Sequence, residues 1–136
     1  MNTHVNTLEE GAEINLQFEK RGGILPVVVQ EYSTGTVLMI AYANREALAF
    51  SLKNKEAAFW STSRNELWIK GMTSGNRMNL EEILVDCDQD ALLYKVTLTA
   101  GGVCHTKGAD DTYRKSCFYR RLNMNNPHLD FINEDE

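Results

Sequence analysis

No apolar run in this 136-residue chain approaches the ~20 residues that a membrane-crossing helix requires. The opening residues, MNTHVNTLEEGAEINLQ, contain neither the basic start nor the apolar stretch that directs export. The cytoplasm is therefore the expected compartment. Cysteine is scarce: Cys87, Cys104 and Cys117 are an odd set in a chain without an export signal, which argues against a disulfide framework. Their spacings form no CxxC knuckle, so the marks of a zinc ribbon and of a dithiol redox enzyme are both missing. Proline occurs only twice, and no repeat, low-complexity tract or linker divides the chain. Basic charge is not in excess either: 14 Lys and Arg face 19 Asp and Glu, a net charge of −5, which argues against a nucleic-acid partner. The imbalance is concentrated at the end, where Asp130, Glu134, Asp135 and Glu136 stand in a stretch without Lys or Arg. The body is close to neutral and can hold a local basic pocket for phosphates.

What is present is a β-rich pattern. PVVVQEY (26–32) and TVLMIAYA (36–43) are β-branched runs separated by Ser33, Thr34 and Gly35, the pattern of a hairpin. Asn44 is a good N-cap for a helix over 44–54, with Ala47, Leu48, Ser51 and Leu52 on one face. A second strand pair is expected at 57–63 and 67–70, with a turn at Arg64 to Glu66, followed by a loop at 70–76. Further strands are expected near 82–87, 91–98 and 116–122. Ile14, Leu16 and Phe18 alternate as a short extended entry, or form a brief helix. One clear helix among many strands predicts a β-rich α+β single domain. It is expected over 14–122, between a loose arm at 1–13 and an acidic C-terminal tail at 123–136 that wraps loosely or is disordered.

The densest chemical signal is DCDQD. Asp86, Asp88 and Asp90 recur at every second residue, with Cys87 between the first two. In an extended segment the aspartates would face one way and the thiol the other. Carboxylates suit magnesium and thiolate suits zinc, although a solvated acidic turn beside a buried cysteine has the same pattern. GVCHTKG (102–108) and RKSCFYRR (114–121) place the other cysteines in polar, basic surroundings unlike an apolar core. Three protein ligands on zinc leave a position open for water, whereas four close a structural site. WSTSR (60–64) and KGMTSGN (70–76) mix cations with hydroxyls and could face one cleft, with Ser61, Ser63, Arg64, Lys70, Thr73 and Ser74 as candidate substrate-binding residues. Each base has an ordinary solvated role as its alternative, and Trp60 and Trp68 are expected in the core.

In this order the blocks VLMIAYANREAL, FWSTSRNELWIKGMTSGN, DCDQDALLYKV, CHT and SCFYR resemble the phosphoribosyl-AMP cyclohydrolases, over roughly Ile24 to Leu122. The resemblance implies an intertwined homodimer with zinc and magnesium in each site. It implies that Cys87, Cys104 and Cys117 hold zinc across the subunit interface and that Asp86, Asp88 and Asp90 hold magnesium. The implied reaction is hydrolysis of the N1–C6 bond of the adenine ring in a phosphorylated nucleotide. Zinc on three thiolates acidifies water less than zinc on three histidines. A nearby base is then useful, and His105, which adjoins a ligand, is the catalytic candidate, with loop orientation as its other role. The chain departs from the family pattern in three places. HTKGADDTYRKS lengthens the stretch between Cys104 and Cys117, Gln89 replaces a common glycine, and the pyrophosphohydrolase domain of some relatives is not expected here. The rival readings are a non-catalytic zinc-stabilised dimeric binding module and a thiol-redox enzyme.

Overall fold

β-branched and leucine residues alternate their burial along two neighbouring segments, and these form the centre of the sheet. Leu25, Val27 and Val29 are buried on one strand, and Leu92, Tyr94 and Val96 on the other. The computed structural model describes residues 7–71 and 75–132. Its main sheet has the order β2-β1-β6-β5, formed by β1 (Leu25–Glu31), β2 (Val37–Ala43), β5 (Met78–Val85) and β6 (Leu92–Leu98). The β1/β2 and β5/β6 pairs are antiparallel, whereas β1 and β6 run parallel. A parallel pair cannot be closed by a tight turn. The intervening chain crosses over through helix α2 (Arg45–Asn54) and the antiparallel hairpin of β3 (Ala58–Ser61) and β4 (Glu66–Ile69).

The α2 helix begins where Asn44 adopts extended backbone and its side chain accepts the Ala47 N–H, 2.9 Å away. Its buried residues are small, Ala47 and Ser51, so the helix lies close to β3, and the Ser51 hydroxyl receives the Ala58 N–H at 3.0 Å. Phe59 of β3 stacks 5.8 Å from Tyr94 and lies 5.6 Å from Trp68. These contacts, with Phe18 and Leu16 from the entry segment, place the core between one face of the sheet and the helix-hairpin layer. Trp68 packs against this core and Trp60 is half-buried. The opposite sheet face carries Ile40, Val28, Leu93 and Leu84 in one register row, with Ile40 53% and Leu84 42% exposed.

The β-rich α+β domain expected from the sequence is what forms, with differences at the periphery. The arm contains one helical turn, α1 (Thr7–Glu10). The entry segment forms no strand: Leu16 and Phe18 are buried without a ladder partner, and the chain closes into a 3-10 turn at Glu19–Arg21. The strand expected at 116–122 shrinks to β7 (Arg120–Leu122), which pairs with β8 (Leu129–Phe131), so the tail is structured at least to Ile132. Of the described residues, no helix is long and apolar enough to cross a membrane.

Candidate active site

The three aspartates meet because the chain turns. Val85 and Leu92 are opposite partners, so residues 86–91 are the loop of the β5–β6 hairpin and not a strand end with alternating faces. The turn is tied by Gln89 N–H to Asp86 C=O at 3.1 Å, and Gln89 takes the left-handed backbone at φ 55°. One Asp86 oxygen, Oδ1, accepts the N–H groups of Asp90 (2.9 Å) and Ala91 (3.0 Å). One ligand oxygen from each of Asp86, Asp88 and Asp90 then lies within 4.8 Å of the others, and this is the one metal-competent cluster of acids, histidines and cysteines among the described residues. Burial pushes the Asp86 carboxyl up, against the backbone N–H groups that favour its ionised form. Asp90, buried, is held well below the carboxylate range, first by Lys20 and further by Asp88, Asp86 and Arg21. Lys20 Nζ lies 3.0 Å from Asp90 Oδ2 and 3.5 Å from Asp88 Oδ2, and Arg21 lies 2.8 Å from Asp90 Oδ2.

Two of the thiols meet in a second cluster. The segments 102–106 and 113–117 run side by side, tied by Val103 N–H to Lys115 C=O at 3.1 Å and by Cys104 N–H to Arg114 C=O at 3.0 Å. Glycine is required at 102, because a Cβ there would lie 2.1 Å from the Arg114 carbonyl oxygen. Cys117 N–H donates to Leu38 C=O at 2.8 Å, which docks the pair on the edge strand β2. Burial raises the Cys104 thiol, but the Thr106 hydroxyl and N–H, the Cys117 thiol and the Arg114 charge outweigh it and hold Cys104 low. Cys117 is pushed up to about 11 by loss of hydration and by Cys104, with Lys70 opposing. Of the two thiols, Cys104 is therefore the easier to ionise. Cys87 is exposed in the β5–β6 turn and joins no three-ligand cluster with the other two cysteines in this chain. His105, next to Cys104, is exposed.

The candidate substrate residues divide. Ser61, Ser63 and Arg64 gather at the β3–β4 turn, where Ser61 Oγ accepts the Arg64 N–H at 3.2 Å and lies 3.4 Å from Ser63 Oγ. Lys70 stands at the other end of the hairpin, beyond the Ala58–Ile69 pair, near Cys117 and over Trp68. Arg64 and Lys70 thus stand at opposite ends of the hairpin. Thr73 and Ser74 lie outside the described residues.

A sequence model of the family described as "Phosphoribosyl-AMP cyclohydrolase" matches residues 39–119. The chain belongs to the phosphoribosyl-AMP cyclohydrolase family. Relatives bearing that name include one from Chloroherpeton thalassium, 44% identical over 88% of this chain and 83% of its own length. Another, from Streptococcus mutans, is 48% identical over 81% of this chain and 94% of its own length. A third, from Nitrosopumilus maritimus, is 45% identical over 79% of this chain and 94% of its own.

The span matched to the cyclohydrolases includes all three aspartates and all three cysteines, whereas Lys20 and Arg21 precede it. Those two cations went unnoticed in the sequence, because nothing local marks a basic pair 68 to 70 residues away as the partner of an acidic turn. A cleft of about 820 Å³, within the size range of small-molecule sites, is lined by Tyr113, Arg114, Lys115, Phe118 and Tyr119 among others, and neither Cys104 nor Cys117 lines it. Arg114 stacks 4.1 Å from the Tyr119 ring centroid, a cation on an aromatic floor. The sequence marked the stretch as basic, but the aromatic stacking of Arg114 depends on Tyr119 returning to it across a loop.

Proposed function

We propose that this protein is a cytoplasmic hydrolase of histidine biosynthesis that opens the adenine ring of 1-(5-phosphoribosyl)-AMP. The product is the phosphoribosyl-formimino-aminoimidazole carboxamide ribotide. The observation that carries the reading is the family match across the span that contains both ligand clusters. The phosphoribosyl substituent on N1 makes the purine ring electron-poor. Water adds at C6, the C6–N1 bond breaks, C6 becomes the carboxamide carbonyl and N1 takes the proton.

The donor chemistry fits two metals of different character. Three convergent carboxylates, Asp86, Asp88 and Asp90, form a hard oxygen set suited to magnesium. Cys104 and Cys117 form a soft sulfur pair suited to zinc, and Cys87 of a second subunit would complete a three-thiolate set. When bound, zinc supplies the Lewis acidity that makes water nucleophilic near neutral pH, and magnesium supplies a hard charge for phosphate oxygens. His105, exposed beside Cys104, is the group to accept a proton from the attacking water and return it to N1. Lys70 and Arg64 neutralise substrate phosphates, with Ser61, Ser63, Thr73 and Ser74 donating neutral hydrogen bonds.

Pairing into a homodimer would explain three features together. It would cover the row of Ile40, Val28, Leu93 and Leu84, bring an Arg64 turn to a Lys70 end, and give Cys87 its two partner thiols. The test is turnover by the purified protein supplied with zinc and magnesium. Hydrolysis of 1-(5-phosphoribosyl)-AMP, no reaction with AMP, and loss of activity on chelation reversed by the metals are expected. Zinc binding without turnover would replace this reading with a zinc-stabilised binding module.

A further inference from the structure

The carboxylate cluster holds a cation supplied by the chain. Lys20 Nζ bridges Asp90 Oδ2 and Asp88 Oδ2, at 3.0 and 3.5 Å, as a bound cation would. Arg21 touches Asp90 alone, at 2.8 Å. The difference in reach gives the two bases different roles. Asp90 has a side chain only 5% exposed and keeps one positive partner as long as Arg21 stays. Lys20 neutralises the two carboxylates that face outward and inward across the turn, and its side chain is 52% exposed, so it can leave for water at little cost. The turn does not depend on it. Asp86 Oδ1 and the Gln89–Asp86 backbone bond hold residues 86–91 in place by contacts within the loop. The position of Lys20 is set from the other side, where buried Phe18 anchors the 3-10 turn and Arg45 lies 4.8 Å over the Phe18 ring.

We propose that Lys20 is a tethered cation in the magnesium site, one that competes with the metal for Asp88 and Asp90 and swings out when magnesium binds. The inference rests on the reading of the carboxylate cluster as a magnesium site. A divalent ion shared by Asp88 and Asp90 at ~2.1 Å would take the bridging position between them that the Lys20 ammonium fills, so the two compete for it. The lysine keeps three neighbouring carboxylates compensated before the metal arrives. It also lowers apparent affinity by the fraction of molecules in which it occupies the site.

The experiment is magnesium titration of the full-length protein by calorimetry, without substrate, for wild type, Lys20→Met and Lys20→Arg. Lys20→Met removes the charge and keeps most of the length. Binding on the order of tenfold tighter is expected if the lysine leaves the wild-type site in about one molecule in ten. Lys20→Arg keeps the charge and should stay near wild type. Thermal melts add a readout independent of turnover: magnesium should raise the melting temperature of Lys20→Met by more than that of wild type. A Lys20→Met protein that binds magnesium no tighter than wild type overturns the proposal. If wild type binds and Lys20→Met gains nothing, only the lysine's role falls. If neither protein binds, the magnesium reading of the cluster falls with it.

Discussion

Gln89 occupies a left-handed backbone position in the β5–β6 turn, where a side chain costs about 1–2 kcal/mol relative to glycine. Its amide offsets that cost. The carbonyl oxygen accepts Asn15 N–H at 2.7 Å, and the NH2 group donates to Leu8 C=O at 3.0 Å and Glu13 C=O at 3.3 Å. At about 0.5–1.5 kcal/mol net for each hydrogen bond, the three together outweigh that cost. Gln89→Gly should therefore destabilise the fold by about 1–2 kcal/mol. Its main effect should be local: amide exchange at residues 8–17 should accelerate more than in the core strands. Equal acceleration throughout would show that the amide supports the whole fold. The departure from glycine was visible in the sequence. Its partners were not, because they lie 74 to 81 positions away and no local pattern marks them.

Legibility at the level of elements follows how far each element depends on its own residues. The α2 helix was readable because its start is set by Asn44 and Ala47, three residues apart. Segment 116–119 read as a strand from its aromatic and β-prone composition. In the fold, Ser116 Oγ donates to Val37 C=O at 2.8 Å and Cys117 N–H to Leu38 C=O, so the segment is fastened to the edge of β2 and forms a ladder only from Arg120. The same docking includes an ion pair, Lys115 to Glu31 at 2.5 Å, with the Glu31 side chain 13% exposed. The Lys115 hydrogen bond first, and Thr34 second, hold the Glu31 carboxyl below its ordinary range. A depressed folded-state pKa stabilises the fold above the unfolded value, near 4.5, and that contribution is lost as pH falls through the folded value. Lys115→Met should thus unfold at lower urea than wild type at pH 6, and the gap between their midpoints should narrow as pH drops below about 4.5. A gap that stays constant with pH would assign the loss to the lysine's packing and not to its charge.

At the scale of the whole molecule, the distribution of thiols gives the most consequential prediction. Cys104 and Cys117 meet within one chain through neighbouring backbone segments, while Cys87 lies exposed in a different turn. If the three cysteines form one zinc set, an isolated chain presents only two of them together, and zinc held by two ligands binds weakly. A two-fold pair of chains would build two equivalent sites, each with Cys87 from one subunit and Cys104 and Cys117 from its partner. Cys87→Ser and Cys117→Ser homodimers should each be inactive, since every site lacks one thiolate. In a co-expressed heterodimer the substitutions fall together in one site, and the other keeps all three native thiols. Activity near half of wild type per dimer, with one tightly bound zinc in place of two, is the expected result. A verified heterodimer without recovered turnover would count against shared sites. An active, zinc-loaded monomer would exclude them, and would require Cys87 to reach Cys104 and Cys117 within its own chain.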